Sequence, residues 1–315
     1  MARYTALCAG LFLLGAIFTL QGMAFPVLML YPLPVAWFWT AGNRGQALGL
    51  AGCAVLAALA GTASLEVGLL YGLIAGAGAV LALAALRYRR FGVCVAALTG
   101  YFSALFFAGM AWTWPALLRS TEIFLVARMQ DIRDAAADGS VALAESSTRT
   151  LEVMQALVDN LVYVHFGIVF AFLLLMSTVA VVAYQRGTPR VRTVLEDRFS
   201  AMRPPEWLVW IVILAACGWF WDREWSQPWV RALSWNAAVG LGAVYWLNGL
   251  SIAVHSLNVL QVHWLWFLVM GLVSFQAYPL LCIVGLFDTW WSLRDRMARV
   301  AAARQSPDGG RPDDN

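Results

Sequence analysis

The chain has 315 residues, 61% of them hydrophobic and 12% charged, with a mean hydropathy of +0.70 and a formal charge of +3. A soluble core of this length cannot bury so much apolar side chain, which excludes an ordinary soluble domain and predicts an all-α, polytopic transmembrane bundle. All 21 cations are arginine, so chemistry built on a Schiff-base lysine, a lysine general base or a phosphate-binding loop lysine is excluded as well.

Nine apolar stretches follow one another, at about 4–22, 24–41, 46–63, 66–86, 91–114, 160–184, 206–222, 234–256 and 264–287. Arg3 precedes the first, and no AxA-like cleavage site ends it, which predicts a retained first helix. Pro26, Pro32 and Pro34 make the second irregular. The third and fourth carry glycines four apart, Gly45/Gly49 and Gly68/Gly72/Gly76, a spacing that lets helix backbones approach closely. Cys8, Cys53, Cys94, Cys217 and Cys282 each sit in a different stretch without CxxC spacing, so they read as lone apolar thiols.

Arginine predicts the orientation. Arg87, Arg89 and Arg90 follow the fourth stretch, and Arg186, Arg190, Arg192, Arg198 and Arg203 follow the sixth. Both loops are expected in the cytoplasm, with Arg3 and Arg44 beside them, which puts 115–159 outside. That region is not a plain loop. Leu118, Leu125, Met129, Ile132 and Ala136, and again Leu151, Met154, Val158, Leu161, His165 and Ile168, repeat at heptad-compatible spacing around the turn signal Asp138-Gly139-Ser140. The fifth and sixth stretches should therefore continue outward as an antiparallel αα-hairpin, bent at Pro115.

The expected organisation is a six-helix membrane domain over 1–188, including the outer hairpin, and a basic amphipathic segment over 189–205 lying on the membrane surface. A three-helix membrane unit over 206–291 and a disordered tail over 292–315 follow. Nine crossings place that tail outside, yet Arg294, Arg296, Arg299, Arg304 and Arg311 outnumber its acids. The competing arrangement is a last stretch broken near Pro279 that re-enters and leaves the tail inside. Tryptophans gather near segment ends, as interfacial belts require; those from Trp219 to Trp235 also suggest a ligand cage.

The candidate site lies in the eighth stretch. At 100° per residue, Asn248, Ser251, His255 and Asn258 fall within roughly 80° of one another. Val244, Leu250, Ala253 and Leu257 occupy the other face. Such a stripe cannot face hydrocarbon cheaply, so it should look into the protein interior, a water-filled cavity or the cytoplasmic interface. Asp288 closes the last stretch and is followed by Arg294 and Asp295; it is expected to cap its neighbours, pair with an arginine or sit in a proton path. His255 and His263 reach a common ion only if the chain folds back between them, and His165 lies near the other face, so no metal or other cofactor is expected. The motifs of hydrolases, phosphoryl transfer enzymes and intramembrane proteases are absent, and the basic clusters are too brief for nucleic acid.

The run Arg203-Pro204-Pro205-Glu206-Trp207-Leu208-Val209-Trp210, the segment Asn248-Gly249-Leu250-Ser251-Ile252-Ala253-Val254-His255 and the ending Gly285-Leu286-Phe287-Asp288-Thr289-Trp290 with Arg294 resemble the YybS-like family of predicted bacterial membrane proteins. Pro32-Leu33-Pro34 looks like that family's N-terminal region. The resemblance implies a bacterial inner-membrane protein and brings no activity with it; the multi-pass reading comes from hydropathy and the cytoplasmic N-terminus from the arginine pattern. More remotely, the first six stretches are similar to the substrate-binding subunits of energy-coupling-factor vitamin transporters and to the rod-shape membrane protein of cell-wall synthesis. The expected function is non-enzymatic binding of a small molecule or lipid by Asn248, Ser251, His255, Asn258 and Asp288, in a transport-related setting. The alternative is a scaffold whose outer hairpin recruits a cell-envelope partner.

Overall fold

The computed structural model describes residues 32–62, 65–137, 141–187, 189–225, 227–263, 265–297 and 299. Their regular elements are all helical: α1 (Pro32–Thr40), α2 (Arg44–Thr62), α3 (Leu65–Tyr88), α4 (Phe91–Ala137), α5 (Val141–Gly187), α6 (Pro189–Val194), a 3-10 turn (Phe199–Ala201), α7 (Leu208–Trp225), α8 (Pro228–Val259), α9 (Leu265–Gln276) and α10 (Tyr278–Trp291). The first apolar stretch and the start of the second fall outside the described residues, as does the turn at 138–140.

Four helices among the described residues are long and apolar enough to cross a bilayer: Tyr71–Tyr88, Phe91–Gly109, Tyr163–Gly187 and Pro228–Val259. A fifth candidate is a pair, Val269–Gln276 and Tyr278–Trp291, bent by 96°. Both α4 and α5 are 47 residues long, about 70 Å at 1.5 Å per residue and more than twice a hydrocarbon core of roughly 30 Å. The heptad-like stretches are therefore helical, and α4 runs on through Pro115.

Local sequence sets the helix ends. Pro32, Pro34 and Pro228 sit in first turns, where a missing N–H costs nothing. Arg89, Gln261 and Ser292 close helices with positive φ, and Gly42 (φ 86°) reverses the chain after α1 while the amides of Ala41, Gly42 and Asn43 cap its last carbonyls.

The chain divides into two compact units, unit 1 (Met1–Tyr101, Ala171–Val209, Leu241–Asn315) and unit 2 (Phe102–Phe170, Trp210–Gly240). In unit 1, α1 lies against α3 so closely that a methyl on Gly78 would strike the Pro32 carbonyl. Val35, Ala47 and Ala75 form the core there. Gly72 and Gly76 meet Val55 and Tyr101, whereas Gly45 and Gly49 face open space, so only the second glycine row is a packing face. At the ends of these helices Trp37 donates to the Tyr184 carbonyl (3.1 Å), the Thr40 and Tyr184 hydroxyls bond, and Arg190 donates to the Ala41 carbonyl (3.0 Å).

The basic segment after α5 is amphipathic, but its apolar side enters the protein: Val191 and Leu195 are buried, with arginines 190, 192 and 198 outside. The Glu196 amide donates to the Arg89 carbonyl (3.0 Å), and their side chains pair at 3.4 Å. Phe199 meets Phe91 edge to face. The C-terminal end of α3, the start of α4 and the segment after α5 thus share one arginine-rich face. Just beyond α10, residues 293–297 form a helical turn, and of the rest of the tail only residue 299 is described.

Unit 2 is held by an amide. Asn236 of α8 donates to the Tyr163 carbonyl (2.6 Å) and accepts from the Gly167 amide (2.6 Å), satisfying an acceptor and a donor four residues apart in α5. Gly167 permits this approach, since a methyl there would lie 2.7 Å from the Asn236 carbonyl.

Candidate functional site

In unit 1, α8 and α10 touch backbone to backbone. A methyl on Gly249 would strike the Leu281 carbonyl, and one on Gly285 the Tyr245 carbonyl. Small residues allow such contact inside a membrane, where packing and polar groups replace the hydrophobic drive between helices. The contact brings Asn248 within reach of α10, and its Nδ2 donates to the Gly285 carbonyl at 2.7 Å.

The other end of that amide holds a charge. Arg294 Nη2 donates to Asn248 Oδ1 (2.6 Å) and to Ser251 Oγ (2.6 Å), with the Asn248 carbonyl at 3.3 Å. Its Nη1 donates to the Met202 carbonyl at 2.7 Å. The Ser251 hydroxyl in turn donates to the Asn248 carbonyl (2.8 Å). Asp288 Oδ2 is 3.7 Å from Nη2, while Asp288 Oδ1 and Arg294 Nε have no partner among the described residues. Asn248, Ser251, Arg294 and Asp288 are exposed by 1%, 0%, 2% and 5%, so the knot is sealed from solvent. Burial pushes the Arg294 guanidinium down to about 10; Asp288 opposes the fall and Arg203 adds to it. It remains a cation at neutral pH, held mainly by neutral oxygens.

The predicted stripe therefore divides. Asn248 and Ser251 are sheltered, as their polarity demands, and their hydrogen-bonding atoms are taken up by Arg294, Gly285 and each other. Asp288 joins them. His255 is half-buried with Nε2 unpartnered, and Asn258 is exposed. His263 is exposed too, and no group of three metal-ligating side chains occurs among the described residues. Arg294 was the partner to look for: an arginine just beyond the last apolar stretch, six positions after its only acid.

Unit 2 holds a second feature. Between α7 and α8 lies a groove of about 470 Å³, lined by Ile211, Leu214, Cys217, Trp221, Trp229 and Leu233 among others. The two helices come closest where a methyl on Gly218 would strike the Ser234 hydroxyl. At the connecting end Arg231 pairs with Asp222 at 2.7 Å and lies 5.5 Å from the Tyr163 ring. Two of the tryptophans that suggested a cage line this groove. The small residues opposite each other, Gly218 and Ser234, were the unread part of the signal.

Long apolar helices, glycine contacts between helix backbones and a sealed polar knot define a multi-pass helical membrane protein. Residues 6–289 match the family described as Predicted membrane protein (DUF2232), and the chain belongs to that family. No curated protein and no solved structure matches it.

Proposed function

We propose that the protein binds a lipid or small apolar molecule without catalysing a reaction, and that the α7–α8 groove in unit 2 is the seat. The observation that carries this reading is the groove itself: about 470 Å³, with Trp221 and Trp229 on its wall and almost no polar lining. Concave, mostly apolar surfaces with a few polar groups are the usual form of such sites, and Ser234 is the polar side chain on the wall. Asn248, Ser251 and Asp288 then support the fold of unit 1, while half-buried His255 and exposed Asn258 stand outside the knot. The setting is the bacterial inner membrane, with about nine membrane segments, the N-terminus and the arginine-rich loops in the cytoplasm, and a transport-related role. The resemblance to the YybS-like family and, remotely, to vitamin-transporter binding subunits accords with it.

Native mass spectrometry of gently purified protein tests the proposal. A co-purifying lipid or metabolite should be lost in Ala215→Phe, which fills the groove, and kept in Asn258→Leu. Equal retention in both variants, or a bare wild-type protein, would overturn the assignment.

A second reading rests on the length of α4 and α5. The parts outside the candidate spans, 110–137 and 141–162, would reach about 30–40 Å if straight. As an extracytoplasmic αα-hairpin they would present a scaffold to a cell-envelope protein. Crosslinking from a cysteine at Ile123, an exposed position on α4, separates the readings: one specific protein adduct favours the scaffold, and lipid adducts alone count against it.

A further inference from the structure

We infer that α9 and α10 form a re-entrant hairpin that enters and leaves the membrane through the same arginine-rich face, with Arg294 anchoring the returning limb. Neither limb is long enough to cross. α9 has 12 residues and α10 has 14, about 18 and 21 Å against a hydrocarbon core of roughly 30 Å. At the 96° bend between them the Ala277 amide donates to the Val273 carbonyl (2.8 Å) and the Leu281 amide to the Ala277 carbonyl (3.0 Å). Pro279 has no N–H to satisfy.

Contacts along α8 give the depth of each part. The bend lies beside the middle of that helix: Trp246 donates to the Ser274 carbonyl (3.0 Å), Cys282 lies 3.2 Å from the Gly242 carbonyl, and a methyl on Gly242 would strike the Tyr278 hydroxyl. The outgoing end lies nine positions further along α8, where Arg294 meets Asn248 and Ser251. From Gly242 to Ser251 is about 14 Å, close to half the hydrocarbon thickness. The ingoing end follows from the same helix, since α8 stops at Val259, a turn over 260–263 reverses the chain, and Ser256 contacts Met297 at 3.1 Å. Start and finish are therefore level with each other. A complete crossing would carry residue 294 toward the Pro228 end of α8 instead.

Two contacts identify the face. Arg294 is bonded to the Met202 carbonyl, and Arg203 pairs with Asp295 at 2.7 Å. Residues 202 and 203 close the basic segment that is bonded through Glu196 to Arg89. The arginines at 294, 296 and 299 thus join those at 87–90 and 186–203 on one side, and their excess over acids follows the same charge rule as the loops.

Single cysteines in a cysteine-free background test this without touching the packed residues. Arg90→Cys, Ile123→Cys and Arg299→Cys are all exposed positions and would be labelled with an impermeant maleimide, first on intact spheroplasts and then on inverted vesicles. Arg299→Cys should react on the same side as Arg90→Cys and opposite to Ile123→Cys. Reaction with Ile123→Cys overturns the hairpin. The anchor is read separately. Arg294→Ala should lower the melting temperature in detergent, and millimolar guanidinium, but not ammonium, should restore part of it. An unchanged melting temperature, or equal rescue by both ions, overturns Arg294 as the anchor.

Discussion

Each unit contains a pair between an arginine and a buried aspartate, and these two pairs invert the usual link between distance and dependence. In unit 2, Arg231 and Asp222 meet at 2.7 Å, with side chains 38% and 8% exposed. In unit 1, Arg294 and Asp288 are 3.7 Å apart, with side chains 3% and 2% exposed. The closer pair still shares its cation with solvent. The looser one is sealed, and its cation is held at 2.6–2.7 Å by Asn248, Ser251 and the Met202 carbonyl. A buried charge depends on every dipole around it, because water has been removed and nothing else compensates.

The sharpest way to break the comparison is to remove each cation. Arg294→Ala should cost about 3–5 kcal/mol, the usual penalty for breaking a buried pair by deleting one partner, measured as loss of thermal or denaturant stability in detergent. Arg294→Lys should recover only part of it, since an ammonium cannot present a planar fork to acceptors on three chain segments. Arg231→Gln should cost much less, because its guanidinium is partly solvated. A larger loss at Arg231 than at Arg294 would show that distance, not burial, sets the dependence.

Next in size come the glycines beneath the knot. Gly249→Ala and Gly285→Ala should each destabilise by about 1–3 kcal/mol, as overpacking does, and should weaken Asn248's grip on α10. Gly45→Ala, where a methyl meets nothing within 4 Å, is the matched control and should be close to neutral. In unit 2, Asn236→Leu should fall between these, at about 1–2 kcal/mol, since membrane hydrogen bonds of this kind are individually modest.

The smallest effect concerns the rim. Asp295 is held below the ordinary carboxylate value of 3.8, first by the hydrogen bond from Arg203. A carboxyl depressed in the folded state adds stability above its unfolded pKa and loses it as pH falls through the folded one. Asp295→Asn should therefore lower stability slightly at neutral pH and remove the decline below about pH 4, so that the two proteins converge in acid. Salt should erase the difference between the variants, since both charges are half-exposed.

Much of the fold was legible in the sequence because it follows from local pattern. Hydropathy marked the helices, heptad spacing carried α4 and α5 beyond membrane length, and the 100° period placed Asn248 and Ser251 together on a face that had to be sheltered. What sheltered them was not legible. Arg294 is 46 residues from Asn248, and no periodicity connects them; the join depends on Gly249 and Gly285 meeting, a tertiary contact between segments that look merely small and apolar. The amphipathic pattern at 189–202 illustrates another limit. Alternating apolar and basic side chains fit a lipid surface and a protein surface equally well, and Val191 and Leu195 turned inward. The groove was half visible, through Trp221 and Trp229 but not through the facing Gly218 and Ser234.

The seat of Arg294 also has a history within each molecule's own synthesis. Met202, Asn248, Ser251 and Asp288 all precede Arg294 in the chain, so the oxygens around the guanidinium are made before the cation they surround. The polar knot of unit 1 is therefore complete only when the latest-made of its members is in place.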